Sequence, residues 1–307
     1  MKNTMGGRGW PTAILFLLPS AVGLLVFSLL PIVASFGLSL TTWDGLVTLS
    51  WEGLLSSWVG LGNYSEVLGG EEFWKVLGNT VYFIVLYVPM ILGAALAVSL
   101  LLNARRRGAS FYRVLYYIPV LTSWVAGALI WKWILSPQYG LLNLLLGLVG
   151  ITGPGWLSDT AWAMPGIVLT SLWKDVGFFS LIVLGGLANI SPTYYEAADL
   201  DGASTSQKFF RVTLPLLTPV LFLVMVITLI NSFQLFPQIM VMTTIDGMPP
   251  GQPQGATQVM VERIYTYAFK YYKMGLATAW SWLLFVIIFG FTWAQLRIQS
   301  RWVNYDA

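Results

Sequence analysis

Cysteine and histidine are both absent from these 307 residues. Without cysteine there is no disulfide, no thiol nucleophile and no thiolate metal site. Without histidine the commonest metal ligand and the commonest general base are missing too. Charge is scarce: 9% of the residues are Asp, Glu, Lys or Arg, against about 25% in soluble domains. The net charge of +3 is small and is not gathered into a basic patch, which argues against nucleic acid as a partner.

Apolar surface is what the chain has in quantity. Hydrophobic residues make up 57% of it, enough to leave large exposed patches in water, so a lipid bilayer is the solvent that fits. Its 15 Trp and 14 Tyr suit membrane interfaces. Lys2 and Arg8 precede an apolar run, as in a signal peptide. The uncharged stretch from Gly9 to Trp43 is 35 residues long, however, far beyond a signal core of about 7–15 residues. We read it as a retained first span.

A helix needs about 20 mostly apolar residues to cross a bilayer. Charge-poor windows predict six spans, over residues 12–40, 76–102, 114–135, 163–187, 216–242 and 275–296. The runs are too long for barrel strands and lack strict alternation, so the expected class is all-α. Lys132, near the end of the third span, is expected to snorkel. With the N-terminus inside, the inner segments hold ten basic residues: Lys2, Arg8, Arg105, Arg106, Arg107, Arg113, Lys208, Arg211, Arg297 and Arg301. The outer segments hold five, Lys75, Lys132, Arg263, Lys270 and Lys273. That bias predicts both termini on the cytoplasmic side of a cell membrane. The stretch 136–162 is apolar but broken by Pro and Gly. Its part Leu141–Val149 is too short to cross, so it reads as a short helix at the outer face, or as a re-entrant segment.

The most informative segment is the inner loop 189–215. Ser191 can N-cap a helix with Pro192 at its first position, and Thr193 with Glu196 offers an alternative capping box. Gly202 stands where a left-handed residue would end that helix. A second helix start follows at Ser204–Ser206, and Pro215 is expected to break the chain before the fifth span. Ala197, Ala198 and Ala203 are small enough for a partner to approach closely. Glu196, Asp199 and Asp201 offer carboxylates, which argues against the helix lying on a negative inner leaflet.

Glu196-Ala197-Ala198, Gly202 and Val212-Thr213-Leu214-Pro215 stand in one long, fixed spacing. This pattern resembles the signature of binding-protein-dependent ABC transporter permeases, with Val212 in place of the commoner Ile. Further segments are similar to permeases of the maltose and glycerol-phosphate type. They include Phe16-Leu-Leu-Pro19, Leu38 to Gly45, Gly60-Leu-Gly-Asn63-Tyr64, Phe73-Trp74 with Asn79-Thr80, Ile130 to Trp133, Tyr139 to Asn143, and Trp156 to Asp159. One departure lies after the fifth span. There the family's Gly-Gly-Pro pattern is replaced by the longer stretch Asp246 to Thr257.

The resemblance implies a permease fold of six transmembrane helices over one domain, 1–307, with a cytoplasmic coupling helix. Glu196, Ala197, Ala198, Asp199, Asp201, Gly202, Leu214 and Pro215 would couple to a separate ATPase. It also implies a heterodimer with a second, homologous permease, two ATPase copies, an extracytoplasmic solute-binding protein and a sugar as cargo. Glycerol-3-phosphate or another polar solute is the alternative cargo, and an ion-coupled carrier the more remote reading. The chain has no Gly-x-x-x-x-Gly-Lys-Ser/Thr loop, so ATP and Mg belong to the partner ATPase and this chain holds no cofactor.

Polar residues within spans are costly and usually face the bundle interior. In the fifth span Asn231, Gln234 and Gln238 are spaced to share one helix face, with Pro237 able to kink it. They line a transport path or hold helices together. In the fourth span Trp173, Lys174, Asp175, Gly177 and Phe178 cluster near mid-membrane. Lys174 and Asp175 point about 100° apart, so one lines the path or each pairs with a neighbour. An intramembrane enzyme fails on inventory, because no zinc or di-aspartyl site can be built. A proton-coupled carrier finds only Asp175.

Overall fold

The computed structural model describes residues 10–48, 50–104, 108–244 and 249–303. Lys2, Arg8 and Arg105–Arg107, which weigh in the charge count, lie outside the described residues, as do 245–248 of the loop after the fifth span. No β-strand occurs among the described residues; the only bridge is Thr41 to Trp58. The fold is all-α. Five helices are long and apolar enough to cross a membrane, and a sixth candidate is a bent pair.

Two compact units form. The first holds the described residues through Gly69 together with Ile264–Leu283. It begins with α1 (Trp10–Leu24) and α2 (Leu30–Ser39), joined without a break through a π-helical turn at Leu25–Leu29. In that turn the Leu30 N–H reaches back five residues to the Leu25 carbonyl. The wider spacing accommodates Pro31, which has no N–H to give to an ordinary helical ladder. After the span come α3 (Trp51–Ser56) and α4 (Gly62–Gly69). A helix end leaves orphan carbonyls, and here Asn63 of α4 supplies the donors. Its buried Nδ2 donates to the carbonyls of Ser39 and Thr41, each at 2.8 Å, and Tyr64 Oη meets Ser39 Oγ at 2.7 Å. Asp44 accepts from the N–H groups of Leu46 and Val47, and these bonds hold its carboxyl below the ordinary range.

The second unit holds Gly70–Arg263 and the described residues from Leu284 onward. Its longest element is α5 (Glu71–Ala104), whose buried stripe of Val76, Thr80, Phe83, Tyr87, Ile91, Ala95 and Ser99 recurs every third or fourth residue. That stripe packs on α9 (Ala163–Ala188), which is apolar all round and central to the unit. Between them the chain forms α6 (Ala109–Leu121), α7 (Trp124–Ile134) and the short α8 (Leu141–Leu148). The stretch read as the third span is therefore two helices, bent by 98° at Thr122–Ser123. Pro119 precedes the bend, and its missing N–H weakens the last turn of α6.

After α9 come α10 (Pro192–Leu200), α11 (Thr205–Lys208), α12 (Leu214–Phe233), α13 (Pro237–Met242), α14 (Met260–Tyr265) and α15 (Met274–Ile298). Two sequence readings change here. Pro215 does not break the chain: α11 and α12 run as one helix from Thr205 to Phe233. A π-helical turn at Phe209–Thr213 absorbs the proline, the Leu214 N–H bonding the Phe209 carbonyl, as at Pro31. The fifth span, by contrast, stops at Phe233 and restarts at Pro237.

Close approach of backbones sets one glycine. A Cβ on Gly177 of α9 would run into the Tyr116 carbonyl of α6. Gly177→Val should therefore lower the thermal unfolding midpoint of the detergent-purified chain, at a cost of about 1–3 kcal/mol. Gly78→Ala on α5, where a Cβ meets nothing within 4 Å, should hold or raise the midpoint, since alanine favours the helix interior by about 0.5–1 kcal/mol.

Candidate functional site

The break in the fifth span opens on a cavity of about 290 Å³. Gln234 caps α12 at φ −100°, ψ 19°, and Phe236 precedes α13 at φ −147°, ψ −61°. Non-helical backbone is tolerated at membrane depth where protein or a wet cavity covers it, and discontinuous helices at such depth recur at transport sites. Asn231, Ser232, Gln234, Leu235, Pro237 and Gln238 line the cavity from this segment. Phe83 and Tyr87 of α5, Ser171 and Asp175 of α9, and Trp124 of α7 line it too.

The three amides meet at one cavity, but not for the reason their spacing suggested. They do not share a helix face, because the helix ends between Asn231 and Gln234; the turn at the break brings Gln234 and Gln238 round. Asp175 also faces the cavity, and its Oδ2 accepts from the Tyr87 hydroxyl at 2.6 Å.

The other fourth-span candidates do not line this cavity. Lys174 is only 5% exposed. Its Nζ donates to the Val120 carbonyl at 2.8 Å, near the end of α6, and lies 5.4 Å from the Trp124 ring centroid. Trp173 packs against Trp131 at 5.8 Å between centroids. Gly177 meets α6, and Phe178 makes an edge contact with Phe179 at 5.2 Å. Lys132, near the end of the third span, is half-buried. Its Nζ donates to the carbonyls of Val241 and Thr244 at 3.3 and 3.0 Å, and so caps the C-terminal end of α13. Sequence reasoning passed over Tyr87, Trp124 and Ser171. Ser171 was within reach, since it stands four residues before Asp175 on the same face of one helix.

The second candidate site is the loop carrying α10. Ser191 is the N-cap, its Oγ accepting from the Thr193 N–H at 3.4 Å, with Pro192 at the first helical position. The helix ends in a Schellman motif. Ala203 N–H bonds the Ala198 carbonyl at 2.9 Å, Gly202 N–H bonds the Asp199 carbonyl at 3.0 Å, and Gly202 sits at φ +71°. The capping box forms at Ser204 and Gln207, in the helix that follows. Tyr195 Oη meets Thr213 Oγ1 at 3.0 Å, tying α10 to the π turn.

Asp199 pairs with Lys208 within the loop and remains exposed. Glu196, Ala197, Asp201 and Gly202 are exposed and Ala198 half-buried. Leu200 is 91% exposed at the tip. Leu214 and Pro215 lie half-buried at the start of α12 rather than at the tip.

A third constellation pins the loop before α14 to the start of α5. Lys75 Nζ donates to the Gln254 carbonyl at 3.0 Å. Asn79 Nδ2 donates to the carbonyls of Gly255 and Gln258 at 2.9 and 3.0 Å. Arg263 pairs with Glu72. No group of three or more acidic side chains that could hold a metal occurs among the described residues.

The chain resembles known proteins along nearly its whole length. It is 35% identical to a probable ABC transporter permease protein, YesP, of Bacillus subtilis, over 95% of this chain and 91% of that one. It is 34% identical to the trehalose/maltose transport system permease protein MalF of Thermococcus litoralis, over 92% of each. Its fold matches a solved bacterial ABC transporter involved in import of the acidic polysaccharide alginate, with a TM-score of 0.81, 23% identity and 97% of each chain covered. Residues 90–304 match the model of binding-protein-dependent transport system inner membrane components. With its apolar helices, its broken fifth span and that match, the chain is a multi-pass membrane protein and belongs to the family of binding-protein-dependent transport system inner membrane components.

Proposed function

We propose that this chain is the permease subunit of an ATP-driven, binding-protein-dependent sugar importer and forms half of its pathway. The observation that carries the reading is the broken fifth span, whose amides converge with Asp175 on one cavity. Amides and hydroxyls there suit a polyhydroxylated solute, and the Trp124 and Phe83 rings suit the apolar face of a sugar ring. The trehalose/maltose cargo named for the Thermococcus relative supports the same choice.

The remaining parts follow from this reading. The whole chain, 1–307, acts as one permease domain with its termini in the cytoplasm. A second, homologous permease completes the pathway. Two copies of a cytoplasmic ATPase bind ATP and Mg and hydrolyse the nucleotide, so this chain is not itself catalytic and binds no cofactor. An extracytoplasmic binding protein delivers the sugar. The α10 loop is the coupling element. Leu200 and the small Ala197 form an exposed apolar tip that an ATPase surface can cover closely, and Glu196 and Asp201 flank it for basic partners. Leu214 and Pro215 act from behind, at the root of α12. Closure of the ATPase pair moves the loop, and the spans follow from inward-facing to outward-facing.

Two outcomes test the loop. Gly202→Ala meets no neighbour but strains the left-handed backbone by about 1–2 kcal/mol. It should speed amide exchange across 192–203 in nanodiscs without altering the spans. In proteoliposomes with its partners, the wild-type chain should support ATPase activity that rises when sugar-loaded binding protein is added. Glu196→Arg and Gly202→Trp should each reduce that stimulation at least about tenfold while leaving the spans folded. Full stimulation in both variants would sink the coupling assignment.

A further inference from the structure

The cavity's polar lining is one-sided in charge. Asp175 brings a carboxylate, and none of the lining residues is Lys or Arg. Lys174, next in the chain, is engaged with the Val120 carbonyl and is not among the lining residues. Tyr87, which donates to Asp175, is a neutral partner and brings no positive charge.

The same wall also holds unused polar atoms. Ser171 Oγ and Gln238 Oε1 are buried with no hydrogen-bond partner among the described residues, in side chains belonging to residues 1% and 5% exposed. Both residues line the same cavity. Buried polar atoms are paired in the great majority of cases, so the wall of this cavity holds two atoms whose hydrogen-bonding capacity is unused. The Asp175 carboxylate accepts hydrogen bonds and does not donate them. A sugar hydroxyl can donate to it. A carboxylate or phosphate oxygen cannot, and adds a second negative charge.

We infer that the transit cavity selects neutral polyhydroxyl solutes and rejects anionic ones such as uronates and sugar phosphates, with Asp175 as the residue that sets the rule. This rests on the reading of the cavity as a sugar path. It also decides between the two cargoes that the motifs leave open, against glycerol-3-phosphate. With an effective dielectric of about 20, a like charge about 5 Å from Asp175 lowers affinity on the order of a hundredfold. Water and salt in the cavity screen part of that, leaving a factor of about ten or more.

Methyl glucoside and methyl glucuronide differ chiefly in a carboxylate, and saturation-transfer NMR reads weak binding of both. The sample is the assembled importer without its binding protein, so that selection upstream cannot contribute. The wild type should give a methyl glucoside signal at least about tenfold stronger than that of methyl glucuronide. In Asp175→Asn the ratio should fall to within about threefold. Equal wild-type signals would overturn the charge rule and leave the sugar path standing. Signal from neither would overturn the sugar path, and the rule with it. An undiminished ratio in Asp175→Asn would remove Asp175 from the role. Should that variant fail to assemble with its ATPase on co-purification, the wild-type ratio in low and high salt decides. Screening must narrow it, and a ratio indifferent to salt overturns the proposal.

Discussion

Every peptide group inside a bilayer needs a hydrogen-bond partner from the protein itself, and the departures from regular helix in this chain are answers to that demand. Where α2 ends, Asn63 reaches the carbonyls of Ser39 and Thr41. Where α6 ends, Lys174 reaches Val120. Where α13 ends, Lys132 reaches Val241 and Thr244. Lysine here is a helix cap held on a neighbouring element. The break after Phe233 borders the cavity that Asn231, Gln234, Gln238 and Asp175 line.

The sequence made the architecture legible because hydropathy reports lipid contact directly. Runs without charge marked the apolar helices, and Ser191, Pro192, Gly202 and Ser204 marked the loop by local chemistry that needs no tertiary context. Breaks within spans were harder. Proline was read as a breaker at 215, where a π turn takes it up, and as a kink at 237, where it starts a new helix. Proline fixes one dihedral and removes one donor, and whether the helix survives depends on the ladder behind it. The same limit applied to Lys174 and Asp175. Their neighbouring positions gave two directions, but only the positions of α6 and α5 decide which direction is wet.

Several motifs that were similar to known permeases now have plain structural reasons. Asn63 and Tyr64 close the end of the first span. Asn79 clamps the loop at Gly255 and Gln258, and Thr80 Oγ1 accepts from the Met260 N–H at 3.4 Å. Asn143 Oδ1 accepts from Trp156 Nε1 at 2.7 Å, while its Nδ2 donates to the Pro154 carbonyl at 3.1 Å. Each joins segments distant in sequence through one amide. Such residues record how the irregular ends are tied and say little about cargo.

Because the π turn at Phe209–Thr213 accommodates Pro215, the helix from Thr205 to Phe233 runs on past it, with Pro219 inside it as well. At about 1.5 Å per residue, it carries the loop side at Thr205 to Asn231 across roughly 40 Å of unbroken rod. A hinge at Pro215 would have let the loop swing while the cavity stayed still. Here the helix continues past Pro215 and ends only at Gln234. One proline is taken up inside a helix and another opens a new one, so the same residue type joins this segment at 215 and divides it at 237.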